Sequence, residues 1–282
     1  MRIDYHMHFE YGSYDVEWIK GFFESAKKRG IDEIGITEHT HGFIEFKELY
    51  NSDLILDDSY IGNYQKIWLG NNKFKYSLKD YDEIIKKLKS TGYPVKFGLE
   101  VCNFQNQAKV AEIIGKYEFD YIIGSVHFLN GWGYDLSAIK DEWDKRSVYS
   151  IYKEYVAEVE KMCASGLYDV LGHPFNIRMF KYFPEKDVTE LLERAAAALK
   201  KADMAIDINT GTLYRYPIEE ISPWPEFMKV CKKYNIPIIF SSDSHKPEDV
   251  GSYIDKAIEY AKGFGYDEFL VFEKRERKII KI

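Results

Sequence analysis

The sequence is poor in cysteine, in long apolar runs and in surplus positive charge, and each shortage excludes a class of protein. Its three cysteines, Cys102, Cys163 and Cys231, are odd in number and far apart, which argues against a disulfide framework or a thiolate zinc site. No stretch approaches the roughly 20 apolar residues of a membrane helix, and the N-terminus leads into an apolar strand pattern rather than a signal peptide. We therefore expect a cytoplasmic protein with no membrane partner.

The formal net charge of −7 at pH 7 argues against a nucleic-acid-binding surface, which is normally basic. An anionic substrate would have to be attracted locally, by metal ions and a few arginines. The 45% hydrophobic and 16% aromatic residues predict a folded chain rather than a disordered one. Its length allows one large α/β domain or two small ones with a sizeable core, and we expect a single domain over residues 1–282.

The histidines of this chain recur at the ends of predicted strands. Six of the seven lie at or just past such an end, each near a carboxylate. The segments are Asp4-Tyr5-His6-Met7-His8, Thr37-Glu38-His39, Ser125-Val126-His127, Gly172-His173 and Ser242-Asp243-Ser244-His245, and Glu100 lies on the strand after His39. Residues i and i+2 of a strand point to the same face, so a pair such as His6 and His8 can bind one ion together. Imidazole and carboxylate ligands suit divalent transition metals, and a bridging carboxylate allows two cations to lie within about 4 Å of each other. The distribution predicts a metal site assembled from the whole chain.

Strand and helix patterns alternate. Apolar strand patterns cover residues 2–8, 33–37, 95–101, 121–126, 169–171, 205–208 and 236–240. Helix patterns fall between most of them, over residues 16–29, 81–90, 105–117, 147–164, 188–201, 224–234 and 247–263. Seven such units are typical of a parallel α/β barrel, in which chemistry takes place at the C-terminal ends of the strands. The candidate ligands lie at those ends.

The segment at about 42–78 interrupts the alternation. A structureless loop of that length is uncommon in a compact domain, so we expect an insertion that folds over the barrel mouth. Its aromatic residues, Trp68 and Phe74 among them, argue against disorder. The charged tail over residues 273–281 is expected to form a solvated final strand.

The motifs together resemble those of a known family. The pattern His6-x-His8, Thr37-Glu38-His39, Gly98-Leu99-Glu100, Gly124-Ser125-Val126-His127-Phe128, Gly172-His173, Asp207-x-Asn209-Thr210 and Ser242-Asp243-Ser244-His245 resembles the PHP (polymerase and histidinol phosphatase) superfamily, and within it the monofunctional histidinol-phosphatases. The resemblance covers essentially the whole chain. It implies a distorted (β/α)7 barrel with two or three divalent metal ions and hydrolysis of L-histidinol phosphate, a small-molecule phosphate ester.

Carried over residue by residue, the resemblance implies three sets of ligands. The first ion would be held by His6, His8, Glu100 and Asp243. Glu100 would bridge to a second ion held by His127 and His173. A third would be held by His39 and His245, together with one ligand from the segment after the first motif.

That last ligand is open between Glu10 and Asp15. Many relatives place a histidine or aspartate at about the position of Asp15. Glu10, however, continues the alternation of His6 and His8 and would point inward without a rearrangement of the loop. Asp15 also precedes an amphipathic helix pattern and is a candidate N-cap. The sequence favours Glu10 slightly.

The expected chemistry follows from charge. Clustered cations neutralise phosphoryl oxygens and acidify a bound water. A hydroxide that bridges the first two ions, which also share Glu100 as a ligand, is therefore expected to attack phosphorus. Asp243 is the candidate for proton transfer, with a role as ligand only as the alternative. Arg178 and Arg215 follow strand ends and are candidates for binding phosphate, unless they lie on the surface.

Two further residues are candidates for contact with the substrate. Asn209 could orient a ligand or the substrate, or satisfy only the end of its strand. His41 lies two residues past His39 and could reach the substrate, or could lie in solvent. Zinc, manganese and iron all suit the ligand set, and the oligomeric state cannot be read from the sequence.

Three other functions were weighed against histidinol-phosphatase activity. The nearest is a PHP phosphoesterase that acts on nucleotides, phosphotyrosine or another small phosphate ester. A non-catalytic PHP module would be expected to lack ligands, and none of the principal ones is missing here. A metal-dependent amidohydrolase would be expected to place a lysine at a strand end, and no such lysine is evident.

Overall fold

The computed structural model describes residues 1–12 and 14–282. Its strands are β1 (Ile3–Asp4), β2 (Glu33–Ile36), β3 (Val95–Cys102), β4 (Tyr121–Ser125), β5 (Phe128–Leu129), β6 (Trp132–Gly133), β7 (Val170–Leu171), β8 (Ala205–Asn209), β9 (Ile238–Ser241), β10 (Glu268–Glu273) and β11 (Glu276–Lys281). Its α-helices are α1 (Val16–Lys28), α2 (Lys47–Asp53), α3 (Tyr60–Gly70), α4 (Leu78–Ser90), α5 (Gln107–Ile114), α6 (Val148–Ser165), α7 (Thr189–Ala202), α8 (Gly211–Arg215), α9 (Pro225–Lys233) and α10 (Ile254–Gly263). Short 3-10 helices cover Thr40–Gly42, Ile44–Phe46, Ser137–Lys145, Asn176–Arg178 and Pro247–Asp249.

Seven parallel strands form the central sheet, in the order β1-β2-β3-β4-β7-β8-β9. The chain after β1 brings the two edges together, because the amide of Tyr5 donates to the carbonyl of Phe240 in β9 (3.0 Å) and the amide of His8 to the carbonyl of Ser244 just past β9 (2.8 Å). The sheet is therefore a nearly closed barrel with helices around it. This confirms the (β/α)7 barrel expected from the sequence.

The barrel forms from strands whose side chains are buried on both faces, as parallel strands covered by helices require. Several helices begin at residues that cap them: in α4, Ser77 accepts from the amide of Asp80, whose carboxylate accepts from the amide of Ser77. The apolar side of α1 places Phe22 and Ala26 in the core. No helix in the described part of the chain is both long and apolar enough to span a bilayer.

The predicted element bounds differ from the structure in a few places. The strand predicted over residues 2–8 is regular only at Ile3–Asp4, although the chain continues extended and Met7 still bridges to Ser244. The helix predicted over residues 247–263 is wrong at its start, because Gly251 and Tyr253 have positive φ angles of 72° and 61° and separate a 3-10 turn from α10. The final strand, β11, forms and pairs with β10.

The segment at about 42–78 contains helices α2 and α3. Trp68 and Lys73 of this segment line a cavity that His39 and His245 also line. That it acts as an insertion over the barrel mouth remains our proposal.

Gly35 of β2 occupies a point where the barrel has no room for a Cβ atom. Such an atom would lie 1.8 Å from the hydroxyl oxygen of Tyr121 and 3.1 Å from the Cα of Tyr5. The Tyr121 hydroxyl donates to the carbonyl of Tyr5 (2.6 Å) and so connects β4 with the end of β1 across the interior.

We expect Gly35→Ala to lower the free energy of unfolding by about 1–3 kcal/mol, the usual cost of overpacking a core, because Tyr121 must move. Gly263→Ala is the matched control, since a Cβ there meets nothing within 4 Å and alanine favours the helix by up to about 1 kcal/mol. Urea denaturation of both variants measures the difference. Unchanged stability of Gly35→Ala would contradict this account of the interior.

Candidate metal centre

The predicted ligands meet at the C-terminal end of the barrel, around Glu100 of β3. This carboxylate is only 1% exposed. Its Oε1 lies 2.9 Å from Nε2 of His173, 3.3 Å from Nε2 of His6 and 3.5 Å from Nε2 of His127. Its Oε2 lies 3.2 Å from Nε2 of His39. One carboxylate therefore faces imidazoles that follow four different strands.

Four sets of side chains have ligand atoms within 4.8 Å of one another: His6, His8 and Glu100; Glu100, His127 and His173; His8, His39 and His245; and Glu10, His39 and His41. Asp243 joins the first set, because its Oδ1 lies 3.3 Å from Nε2 of His8. Such spacing is suited to two or more cations that share ligands.

Unpaired atoms in the cluster fit metal ions. Nε2 of His6, both ring nitrogens of His8, Nδ1 of His39 and Oε2 of Glu100 are buried without a hydrogen-bond partner. Buried polar atoms are nearly always paired in folded proteins, because an unpaired one costs about 1–3 kcal/mol. Several such atoms directed at one another match the donor set of divalent transition metals.

Protonation states in the cluster favour metal binding at most of its ligands. Burial raises the pKa of Glu100, but the imidazoles of His6, His39 and His127 outweigh burial and hold that pKa well below its usual range. Burial, followed by neighbouring positive groups, lowers the pKa of His39 and of His245 well below the usual value, and burial lowers that of His127 to about 4. Ionised carboxylates and neutral imidazoles are the forms that bind metals.

His6 and His173 differ from the other imidazoles. Burial lowers the pKa of each, but the adjacent Glu100 and other carboxylates outweigh burial and raise both pKa values. A proton and a divalent cation would compensate the same negative charge. Metal binding is therefore expected to release protons from these two rings.

A second layer of buried residues orients the ligands. Asp207 accepts a hydrogen bond from Nδ1 of His6 (2.9 Å), which directs Nε2 of that ring towards Glu100. Asn209 donates to Asp207 (3.0 Å) and accepts from the amide of Gly211 (2.8 Å). Asn209 is 0% exposed. Its contact with Asp207 favours the expected role of orienting a ligand, and contact with substrate or a role only at the end of its strand stays a prediction.

Asp207 was not among the candidates named from the sequence. It stands two residues before Asn209 on β8, so the alternation of side chains along that strand was the signal that could have found it. Cys102 is buried, and its Sγ lies 3.2 Å from Nδ1 of His127.

Glu10 and Asp15 occupy different environments. The carboxylate of Glu10 lies 3.5 Å from Nε2 of His245 and 3.7 Å from Nδ1 of His39. Asp15 is the N-cap of α1, where its side chain accepts from the amide of Trp18 (2.9 Å). The structure thus brings Glu10, and not Asp15, to His39 and His245.

His41 and Lys73 lie beside Glu10. His41 is buried rather than in solvent, and its Nε2 lies 3.6 Å from Oε2 of Glu10 and 3.2 Å from Nζ of Lys73. Burial lowers the pKa of Lys73, although Glu10 opposes this shift. Lys73 was not identified from the sequence, because nothing in its local pattern separates it from surface lysines.

The two candidate phosphate-binding arginines differ in position. Arg215 lines the cavities at the cluster, and its guanidinium lies 3.1 Å from Oδ1 of Asp243. Arg178 is paired with Glu220 (3.0 Å) and stacks on the ring of Trp224, beside a separate small cavity. The structure brings Arg215 to the cluster and does not bring Arg178 there.

Several cavities open at the candidate ligands. One, of about 260 Å³, is lined by Glu10, His39, His41 and Lys73. Two others adjoin each other. The outer one, of about 200 Å³, has Trp68, Phe128 and Leu136 on its apolar side. The inner one, of about 50 Å³, reaches His173 and Asp243. Both are lined by His39, His127, Asp135, Arg215 and Tyr216. A larger cavity of about 400 Å³ lies beside the β10–β11 hairpin, and its described lining residues include none of the candidate ligands.

The fold and this site define a parallel (β/α)7 barrel with histidines and carboxylates at its strand ends, arranged so that they could hold several divalent cations. The PHP domain model matches residues 4–211, and a second model, PHP-associated, matches residues 227–259. The first covers well over half of the chain. The chain belongs to the PHP domain family.

Relatives and solved structures agree with this assignment. A probable histidinol-phosphatase of Deinococcus radiodurans is 31% identical over 172 residues, which are 61% of this chain and 65% of that protein, just under two thirds of its length. The histidinol-phosphatase of Bacillus subtilis is 25% identical over 276 residues, 88% of this chain and 95% of that protein. The crystal structure of a histidinol phosphate phosphatase from Lactococcus lactis, complexed with zinc, L-histidinol and phosphate, superposes with a TM-score of 0.72 at 19% identity and covers 98% of each chain. This likeness shows the fold.

We expect Glu100→Gln to remove one or two ions per chain and to abolish activity while the fold is retained, because the sets of ligands on both sides depend on its charge. Elemental analysis of metal per chain, with circular dichroism to verify the fold, measures this. Glu112→Gln, an exposed change on α5, should leave the metal content unaltered. Full metal content in Glu100→Gln would rule out a bridging role.

The Glu10 and Asp15 variants separate the two candidates for the remaining ligand. We expect Glu10→Ala to lower metal content and activity sharply. Asp15→Ala should remove only a helix cap, at a cost of about 1 kcal/mol in stability. Metal per chain, melting temperature and kcat of both variants decide the matter. If neither change disturbs the metals, this segment supplies no ligand.

Proposed function

We propose that this chain is a metal-dependent phosphomonoesterase that hydrolyses L-histidinol phosphate to L-histidinol and phosphate. The observation that carries the proposal is the convergence of imidazoles and carboxylates on Glu100, beside a cavity that also contains Arg215. Relatives named for histidinol-phosphatase activity favour this substrate over nucleotides or phosphotyrosine. The cytoplasmic location and the absence of nucleic-acid partners remain predictions.

We propose two or three divalent ions at this site, of zinc, manganese or iron. When bound, they would neutralise phosphoryl oxygens and acidify a water molecule. The first set of residues to hold them is His6, His8, Glu100 and Asp243. The others are Glu100 with His127 and His173, and His39 with His245 and Glu10. Zinc, manganese and iron all accept this mixture of ligands.

The chain's own groups would bind and orient the phosphate. The Arg215 guanidinium remains charged, and it lines both cavities, so it can donate hydrogen bonds to a phosphoryl oxygen. Its contact with Asp243 also fixes the carboxylate that we propose for proton transfer. Arg215 holds the pKa of Asp243 well below its usual range, although burial opposes this shift. Asp243 would therefore be present as the proton-accepting form.

Close packing fixes the position of Asp243. This residue has a positive φ of 52°, and a Cβ at Gly211 would lie 2.8 Å from the Cβ of Asp243. The glycine at this position lets α8, which ends at Arg215, approach the loop after β9. The phosphate-binding and proton-transfer groups are thereby held together.

The proposal is tested by phosphate release from L-histidinol phosphate, compared with a panel of nucleotides and phosphotyrosine, on protein loaded with each metal. We expect kcat/KM for L-histidinol phosphate to exceed that for the panel. Comparable rates for a nucleotide would instead support a phosphoesterase of broader or different specificity.

We expect Arg215→Ala to lower kcat/KM by roughly tenfold or more, as for the loss of one hydrogen bond to a charged group. Arg178→Ala should have a smaller effect, because that guanidinium pairs with Glu220 beside a separate small cavity and does not line the cavities at the cluster. Arg194→Ala, which breaks a surface pair with Glu160, is the control. Unchanged kinetics in Arg215→Ala would remove this residue from the site.

A further inference from the structure

Asp135 is an acidic residue of the metal-centre cavities to which nothing above assigns a role. It lines both the inner and the outer cavity. The other carboxylates that line them have cationic neighbours: Glu10 contacts Lys73 (3.7 Å), and Asp243 contacts Arg215 (3.1 Å). In the part of the chain that the structure describes, the Asp135 carboxylate has no ion pair and no hydrogen bond with another residue. Among the described residues that line these cavities, Asp135 therefore carries the one carboxyl group that no cationic side chain pairs with.

The backbone at Asp135 is firmly held. Asp135 follows the β5–β6 hairpin, and the preceding residue, Tyr134, is fully buried. The Tyr134 hydroxyl contacts the carbonyl of Val126 and the side chain of Asn176. The backbone carbonyl of Tyr134 accepts a hydrogen bond from Nε1 of Trp143 (2.9 Å). The carboxylate is thus presented to the cavity from a fixed position, as a recognition group requires.

Asp135 does not belong to the metal cluster. It is absent from the sets of ligand atoms that lie within 4.8 Å of one another, although His127 and His173 line the same inner cavity. Asp243 is also absent from these sets, but its Oδ1 lies 3.3 Å from Nε2 of His8, whereas the Asp135 carboxylate makes no such contact with a ring nitrogen of the described residues. Its burial is also partial, whereas Glu100 is almost fully enclosed. A carboxylate in this position is available to a ligand rather than to an ion.

We propose that Asp135 binds the ammonium group of the substrate and so selects phosphate esters of amino alcohols. This inference rests on the proposed function and names the group that distinguishes its substrate from neutral esters. In L-histidinol phosphate the amine is on the carbon next to the ester CH2 group. A phosphate directed to Arg215 and the ligand cluster would therefore leave the amine near Asp135.

The remaining walls fit the rest of such a substrate. Trp68, Phe128 and Leu136 line the outer cavity and offer apolar surface to a flat ring. The inner cavity carries Arg215 and the cluster. Asp135 lines both, and so lies between the region for the phosphate and the region for the ring. A carboxylate that pairs with a substrate cation rejects the analogue without it, because its own charge is then left uncompensated.

The experiment compares two substrates on the metal-loaded enzyme and on Asp135→Asn, which keeps the shape and removes the charge. The substrates are L-histidinol phosphate and its desamino analogue, 3-(imidazol-4-yl)propyl phosphate. We expect Asp135→Asn to lower kcat/KM for L-histidinol phosphate by about thirtyfold, on the scale of one charge-assisted hydrogen bond. For the analogue we expect a change below about threefold. Asp135→Glu should retain part of the preference.

Controls and alternatives are distinguishable. Asp141→Asn, an exposed carboxylate in the following 3-10 segment, should change neither rate. Equal losses on both substrates would overturn the proposal, because a proton donor to the leaving group or a purely structural residue would affect both alike. Unchanged rates on both would overturn it as well.

Binding separates failure of this inference from failure of the proposed function. Calorimetry measures the affinity of L-histidinol and of the desamino alcohol for both proteins without turnover. Weaker binding of L-histidinol alone to Asp135→Asn supports the ammonium site even if L-histidinol phosphate is not hydrolysed. Equal affinity of the two alcohols for the unaltered protein, or no binding of L-histidinol, would contradict it.

Discussion

The negative charge of Glu100, buried at the mouth of the barrel, is the constraint on which the rest of the structure depends. A buried carboxylate is strongly unfavourable unless other groups compensate its charge. Here imidazoles converge on it from the ends of β1, β2, β4 and β7. Those of His6 and His173, whose pKa values the adjacent carboxylates raise, can carry the compensating charge. The same convergence makes the site able to hold cations. One set of contacts therefore both stabilises the buried carboxylate and brings together the candidate metal ligands.

Around this charge, the site has a graded polarity. Ligands surround the inner cavity, the Arg215 guanidinium borders it, and the apolar side chains of Trp68 and Phe128 lie farther out. Asp207 and Asn209 never reach the cavity, yet they determine which nitrogen of His6 faces Glu100. Residues from distant parts of the chain could therefore bind ions, an anion and the organic part of a substrate in adjacent regions of the site.

The sequence predicted most of the barrel, and most of the candidate ligands that it named lie together in the structure, because both depend on local patterns. Apolar runs that end in polar residues mark the strands, and the i, i+2 spacing of His6, His8 and Glu10 favoured Glu10 slightly as the inward-facing acid. Local patterns say less where a side chain's contacts depend on distant partners. Arg178 is on a suitable loop but pairs with Glu220, and Lys73 reaches Glu10 from a segment without clear periodicity. The break before α10 involves Gly251, a residue type that can signal a positive φ, and Tyr253, which gives no such signal.

The seam between β1 and β9 joins the two ends of the barrel sequence, and its hydrogen bonds from Tyr5 and His8 lie directly beside the ligands His6, His8, Asp243 and His245. A cation bound there would link residues that follow the first strand of the barrel to residues that follow the last. Since metal binding to a folded site is also folding free energy, ions at this point would stabilise closure of the whole barrel. Removal of the ions by a chelator would then first weaken the contacts between the first strand and the last. The metal supply would therefore determine the lifetime of the folded state as well as the rate of the reaction.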